Sequence, residues 1–480
     1  MIGPLAPKLA LARAVGALAR RRGGGATSAP GKVLLRLQPD AIRLLGGRLE
    51  RGSVVISATN GKTTSAALAA SILTADGIPL VHNSAGANMA GGIASTLLEA
   101  AGVRGAGMPA LGLFEVDELW LDRVVAQLRP RAILLGNLFR DQLDRYGELD
   151  TIADRWSSTV RDGAGRAARL VLNADDPVLA DLGRGEGERV LYFGVDDDSL
   201  ALAGMAHAAD AKHCRNCGAP YVFDAVYLGH LGHYHCAACG RSRPSGDALA
   251  VRATDVRLEG VRAARFTLHT PAGTAAVALA LPGLYNVYNA LAAAALATAL
   301  EVPLARIVAG LQSARAAFGR AESVMLAGPA PRELRILLVK NPAGANEVLR
   351  TLALEPGEHD VLGVLNDKIA DGRDVSWIWD ADYELLAGRV RRFTCSGSRA
   401  AELAVRLKYA GVEPARIAVQ PDLAAALATA SVARASATPG AGAAPAPLYA
   451  LPTYTAMLAL RELLAAGADT RDGAVRGALS

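Results

Sequence analysis

One turn of eight residues, Ser57-Ala58-Thr59-Asn60-Gly61-Lys62-Thr63-Thr64, constrains this chain more than any other stretch. Before it runs Ser53-Val54-Val55-Ile56, which reads as a buried strand; after it runs Ser65–Ala70, which reads as a helix. A tight turn between a strand and a helix N-terminus offers backbone N–H groups and the positive end of the helix dipole to an anion. Lys62 would add a point charge for the outer phosphates of a nucleotide, and Thr63 a hydroxyl for Mg2+. The general phosphate-loop pattern places a glycine five residues before Gly61, where this chain has Ile56. The alternative is an ordinary strand-to-helix turn that happens to hold Gly-Lys-Thr.

The rest of the chain reads as α/β. Strand-like runs at Ala110–Glu115, Arg131–Gly136, Arg169–Asn173, Leu334–Val339, Val361–Leu365 and Arg392–Thr394 alternate with helical ones, the pattern of parallel sheets. A helix-like run, Val287–Leu300, follows Pro282–Asn286. At 480 residues and 51% apolar content there is room for two or three domains. Composition breaks near Gly328-Pro329-Ala330-Pro331, so a central domain over residues 51–325 and a C-terminal one over 330–480 are expected, after a basic helical segment over 1–50. The Ala/Pro/Gly-rich tract Ala435–Pro447 reads as a loop before a final strand.

Cys214-x-x-Cys217 and Cys236-x-x-Cys239 stand eighteen residues apart. Two such knuckles make a tetrahedral thiolate site for Zn2+, and four thiolates leave no open position, so the metal is expected to be structural. Gly218 and Gly240 follow the pairs, where a knuckle turn needs positive φ. The stretch Tyr221–His235 reads as a hairpin, and the ribbon, about 205–245, as an insertion in the central domain. His213, His230, His233 and His235 read as surface residues or as neighbours of the cysteines. Cys395 stands alone in Phe393-Thr394-Cys395-Ser396-Gly397, where a small buried residue at a strand end is the preferred reading over a nucleophile.

A net charge of +5, spread along the chain, is too mild to argue for nucleic acid. The apolar runs fall short of the roughly 18 residues a membrane span needs. In the first 22 residues Lys8, Arg13, Arg20, Arg21 and Arg22 mingle with apolar groups, mostly after the apolar stretch, unlike a secretory signal. That segment either packs on its own domain or lies on an anionic membrane. Five cysteines in so long a chain do not make a disulfide scaffold, which places it in the cytoplasm.

Short motifs follow in order. Glu115 ends a strand in Leu113-Phe114-Glu115-Val116-Asp117-Glu118. Next come Asn137–Gly147 and Asn173-Ala174-Asp175-Asp176. Last are Gly283–Asn289 and Gly319-Arg320-Ala321-Glu322. Singly they are weak, but the series resembles the Mur ligase superfamily, which includes folylpolyglutamate synthases, from about residue 50 to the end. There is no room for the N-terminal UDP-binding domain of the standard members. The segments His82–Met89, Lys340-Asn341-Pro342-Ala343-Gly344 and Asp371-Gly372-Arg373-Asp374-Val375-Ser376-Trp377, with the zinc ribbon, narrow the likeness to the MurT family of lipid II isoglutaminyl synthase subunits.

The resemblance implies a Mur-ligase-like central ATPase domain, an inserted four-cysteine zinc ribbon and a Rossmann-like C-terminal domain. It implies ATP-dependent amidation of the D-glutamate α-carboxylate in the lipid II stem peptide, at the inner membrane face. By it, Thr59, Asn60, Gly61, Lys62, Thr63 and Thr64 hold ATP, with Asn289 and Arg320 near the nucleotide. Thr63 and Glu115 hold Mg2+. Ammonia would come from a separate GatD-like glutaminase forming a heterodimer, and Asp374 would complete that partner's Cys–His pair; otherwise Asp374 caps its own turn. Two departures stand out. Gln142, in Asp141-Gln142-Leu143-Asp144, replaces a metal-serving histidine of the standard ligases, which puts a second Mg2+ site in doubt. Ala58 replaces a glycine. Two other readings stay open: an amino-acid-adding ligase of the superfamily, and a zinc-ribbon module that binds nucleic acid through an aromatic, basic face.

Overall fold

A computed structural model describes residues 5–21, 27–84, 86–102, 107–141, 149–161, 163–205, 209–315, 320–326, 331–432 and 445–469. The first sheet is built from β1 (Ser53–Ser57), β2 (Leu80–His82), β3 (Leu111–Glu115), β4 (Ala132–Leu135), β5 (Arg169–Asn173) and β6 (Val190–Val195). A hairpin, β7 (Val222–Leu228) and β8 (Leu231–His235), stands apart as a two-stranded sheet. The first sheet is completed by β9 (Val251–Glu259), β10 (Ala263–Thr270) and β11 (Gly273–Leu279). Its order is β11-β10-β9-β6-β5-β4-β1-β3-β2, parallel from β9 to β2 and antiparallel among β9, β10 and β11.

All five residues of β1 are buried, because both faces of the sheet are covered. Val55 belongs to the core under the helices Ala90–Ala100 and Leu121–Leu128; Val54 and Ile56 belong to the opposite one, under the helices Lys62–Ala75 and Leu284–Ala299. The second helix is alanine-rich and buried along nearly its whole length, which lets it lie close to the first.

The second sheet takes β12 (Arg320–Leu326), β13 (Arg332–Leu337), β14 (His359–Val364), β15 (Val390–Ser396), β16 (Ile417–Val419) and β17 (Leu448–Pro452), in the order β12-β13-β17-β14-β15-β16. Only β12 is antiparallel within it. The expected domain boundary at Gly328–Pro331 therefore falls after a strand that already belongs to this sheet. Arg332, which opens β13, is buried and paired with Asp360 on β14 at 2.6 Å.

The N-terminal segment packs on its own domain. Leu5, Leu9, Ala12 and Leu34 enter the core, and the Gly31 N–H donates to Ser95 Oγ at 2.8 Å. Leu11 and Leu18 stay exposed on the helix Ala6–Arg21. Among the described residues no helix is long and apolar enough to cross a membrane.

Candidate functional site

Strand β1 is the point where the strand order reverses, with β4 on one side and β3 on the other. In open α/β sheets the crevice beyond the carboxyl ends of the strands at such a point is the natural ligand site. The turn Ser57–Thr64 leaves β1 there. Gly61 has φ +82°, and a Cβ on it would stand 2.0 Å from Asn289 Oδ1, so the close approach of the Leu284–Ala299 helix demands glycine. Asn289 in turn accepts from Ser65 Oγ at 3.2 Å and donates to Asn286 at 3.1 Å. Lys62, Thr63 and Thr64 form the first turn of the Lys62–Ala75 helix, whose N-terminus points its amides into the crevice.

Lys62 departs from expectation. A lysine whose task is to meet phosphate would ordinarily face solvent, yet this one is buried and its Nζ pairs with Glu118 at 2.8 Å. It also donates to the carbonyl of Ala58. The reason is local charge: Glu115, Asp117 and Glu118 are all buried around the end of β3, and the lysine is the cation that balances them. Burial works against the ammonium, but Glu118, with Glu115 and Asp117, more than offsets it and holds the Lys62 pKa above its ordinary value. Glu115 lies beside Ile56 across the β1–β3 ladder, and among the described residues its Oε1 accepts one long hydrogen bond, from Asn88 Nδ2 at 3.4 Å. A buried carboxylate with spare acceptor capacity is the kind of donor a hard divalent cation takes.

Sequence reasoning passed over Asn137 as an individual residue. Its side chain clasps Asn60, accepting the Asn60 N–H at 2.8 Å and donating to the Asn60 carbonyl at 2.9 Å. The next strand-end loop is tied in as well, because Thr59 Oγ1 accepts the Phe139 N–H at 3.0 Å. The second domain closes the crevice. Asn60 and Asn341 exchange side-chain amide hydrogen bonds at 3.2 and 3.0 Å. Lys340 Nζ donates to the Thr59 carbonyl at 3.0 Å and pairs with Asp141 at 2.6 Å. The resulting cleft, about 100 Å³, runs from Asn60, Gly61 and Asn137 to Leu337, Lys340 and Gly344. Arg320 opens β12, opposite Leu337, and its side chain lies outside the described residues. Gln142 and Asp144 lie outside them too.

The four cysteines come together. Their sulfurs all lie within 4.8 Å of one another, with Cys214–Cys239 at 3.6 Å and Cys217–Cys236 at 3.4 Å. A tetrahedral zinc with Zn–S bonds of about 2.3 Å sets sulfurs about 3.8 Å apart, so the cage fits that ion with little adjustment. The knuckles are alike: Gly218 and Gly240 have φ +76° and +72°, and each donates its N–H to the carbonyl of the first cysteine of its pair. The Arg241 backbone N–H draws the Cys239 thiol below its ordinary value, while hydrogen bonding among the sulfurs draws Cys217 above it, so the four share their protons as one group. Replacing Cys236, the more buried sulfur of its pair, with serine is expected to abolish zinc retention and to cost about 3–5 kcal/mol of stability, because metal binding energy at such a site is folding energy. Elemental analysis and a urea titration check this. Zinc-free wild-type protein, fully stable, would contradict it.

His213 is exposed, but His230 is fully buried at the β7–β8 turn. Tyr221, Tyr227 and Tyr234 are buried against the domain, so the aromatic face a nucleic-acid module would need is turned inward. Cys395 lies inside β15, and burial pushes its thiol up to about 12, which makes it inert near neutral pH. Asp374 is exposed, and its Oδ1 accepts the Ser376 N–H at 2.8 Å. That hydrogen bond holds the carboxyl below its ordinary range.

Comparison with known proteins now decides the family. Residues 56–223 match the Mur ligase middle domain and residues 338–457 the MurT ligase C-terminal domain. The subunit MurT of lipid II isoglutaminyl synthase (glutamine-hydrolyzing) from Staphylococcus aureus strain N315 is 32% identical over 404 residues, 84% of this chain and 87% of that one. Its namesake from Streptococcus pneumoniae strain R6 is 33% identical over 447 residues, 93% of each chain. The chain belongs to the MurT family. The MurT fold is in turn that of the wider ligases. A pseudomurein peptide ligase type C from Methanothermus fervidus superposes with a TM-score of 0.63 at 22% identity, covering 87% of this chain and 79% of that one. MurF from Acinetobacter baumannii gives 0.62 at 20% identity, covering 92% and 81%. In this MurT-family chain the sheet, the four-cysteine insertion and the second sheet domain match the architecture expected from sequence.

Proposed function

We propose that this chain is the synthetase subunit of a glutamine-dependent amidotransferase that converts the D-glutamate α-carboxylate of lipid II to the carboxamide of D-isoglutamine, in peptidoglycan biosynthesis. The observation that carries it is likeness to MurT over nearly the whole length, joined to an anion-binding turn set in a cleft between two domains.

The chemistry divides among named residues. The turn amides of Thr59–Thr64 and Lys62 hold the ATP phosphates; Lys62 exchanges its partner Glu118 for them. Asn289 and Arg320 are assigned to the nucleotide. Thr63 and Glu115 would hold Mg2+, which supplies charge neutralisation on the phosphoryl group when bound. A carboxylate oxygen of the substrate attacks the γ-phosphorus and ADP leaves. Ammonia then attacks the acyl carbon, the C–O bond to phosphate breaks, and a proton is lost.

Ammonia is scarce at neutral pH, and the inert Cys395 cannot generate it. Likeness to subunits named as glutamine-hydrolyzing supports a partner glutaminase as its source, next to which exposed Asp374 can orient an imidazole. The acceptor carries a lipid, so the pair works from the cytoplasm at the membrane face. The test is co-purification with the glutaminase, then incubation with ATP, glutamine and lipid II. The expected product has the carboxamide mass and a glutamate by-product. A product enlarged by a whole amino acid would instead make this an amino-acid-adding ligase.

A further inference from the structure

The ribbon hairpin has two ends of different character. Near the knuckles, Tyr221, Tyr234, Cys214 and Cys236 pack into the core shared with the N-terminal helices. At the other end, Leu228 and Leu231 join the opposite core, with Phe139 and Tyr288. Those two leucines, 5% and 1% exposed, also line the interdomain cleft beside Asn60, Gly61 and Asn137. Strand β8 carries the chain five residues from Leu231 to Cys236, about 16 Å at ~3.3 Å per residue.

The tip is fastened on every side. The Gly232 N–H donates to the Asp175 carbonyl at 3.0 Å. The Asp175 carboxylate accepts from Arg243 Nε at 2.6 Å, Tyr288 Oη at 2.7 Å and the Val195 N–H at 2.8 Å. His230 packs at a tilt against Phe139 with 4.7 Å between ring centroids, and its Nε2 stands 3.5 Å from Asp176 Oδ2. That same Oδ2 accepts the Leu138 N–H at 2.9 Å. Phe139 is bonded to Thr59, so ribbon tip, strand-end loop and phosphate turn form one connected body.

We propose that the tip of the zinc ribbon is the apolar wall against which the base of the nucleotide packs. On this view Leu228 and Leu231 are positioned by the metal a strand's length away, and they set affinity for the base half of ATP but not for its phosphates. The phosphates have their own charged receptor at Lys62. A planar base needs apolar walls with a few amides at its edge, and the cleft supplies Leu228, Leu231 and Phe139 with the side-chain amides of Asn137 and Asn289. The inference rests on the nucleotide occupying this cleft.

The experiment uses the full zinc-loaded chain and two probes, Mg-ATP and Mg-tripolyphosphate, by calorimetry. In L228A/L231A, affinity for ATP is expected to fall at least about tenfold, with tripolyphosphate affinity and zinc content unchanged. Hydrogen exchange on the wild-type protein gives a reading independent of the variant's folding: ATP, but not tripolyphosphate, should protect the backbone of residues 226–232. Undiminished ATP affinity in the variant, or equal protection by both probes, would overturn the inference while leaving the nucleotide site in place. Wild-type protein that binds neither probe would overturn the nucleotide reading of the cleft, and this inference with it.

Discussion

Lys62→Ala is expected to lower ATP-dependent amidation by about 10³-fold or more, the scale on which a charge facing a transferred phosphoryl group acts. The same change should also lower stability by about 3 kcal/mol, because it leaves Glu118 buried without its counter-charge. These two effects can be pulled apart. Adding Glu118→Gln removes the orphaned charge, so the double variant should regain most of the stability and none of the activity. Initial rates and urea midpoints on the three proteins check this. Wild-type turnover by Lys62→Ala, or recovery of turnover in the double variant, would remove Lys62 from the phosphate site.

Asp374→Asn should separate two half-reactions. With glutamine as nitrogen source, the complex with its glutaminase is expected to lose about 10³–10⁴ of its rate, as when a neutral amide replaces the carboxylate that orients a catalytic imidazole. With ammonium at high pH, where free ammonia is present, amidation should continue undiminished. The phosphate turn belongs to the other domain and is untouched. Asparagine can still accept the Ser376 N–H, so the local turn should persist. Failure with both nitrogen sources would place Asp374 in the synthetase site. Normal rates with both would reduce it to a cap on its own turn.

What could be read from the sequence was local. Strand β1 announces itself because a strand covered on both faces needs an unbroken apolar run, and the turn after it needs glycine at one position. The cysteine knuckles are equally local, four residues each. What escaped depends on partners far along the chain. Lys62 looks like a solvent-facing charge until Glu118, 56 residues on, is folded against it. The Asn60–Asn341 amide pair joins residues 281 apart, and nothing in either segment announces the other. His230 reads as a surface residue or a neighbour of the cysteines; the docking of the hairpin on Phe139 buries it. The antiparallel strands β9, β10 and β11 mix exposed and buried positions along an edge of the sheet, so they lack the apolar run that marks the parallel strands.

The most direct test of the acyl-phosphate route follows the oxygen. Lipid II carrying ¹⁸O in the D-glutamate α-carboxylate is incubated with the complex, ATP and glutamine, and the phosphate released is examined by mass spectrometry. Attack of the carboxylate on ATP, followed by ammonia displacing phosphate, predicts one ¹⁸O transferred to phosphate for each carboxamide formed. Amide formation with unlabelled phosphate would contradict activation of the substrate by this chain.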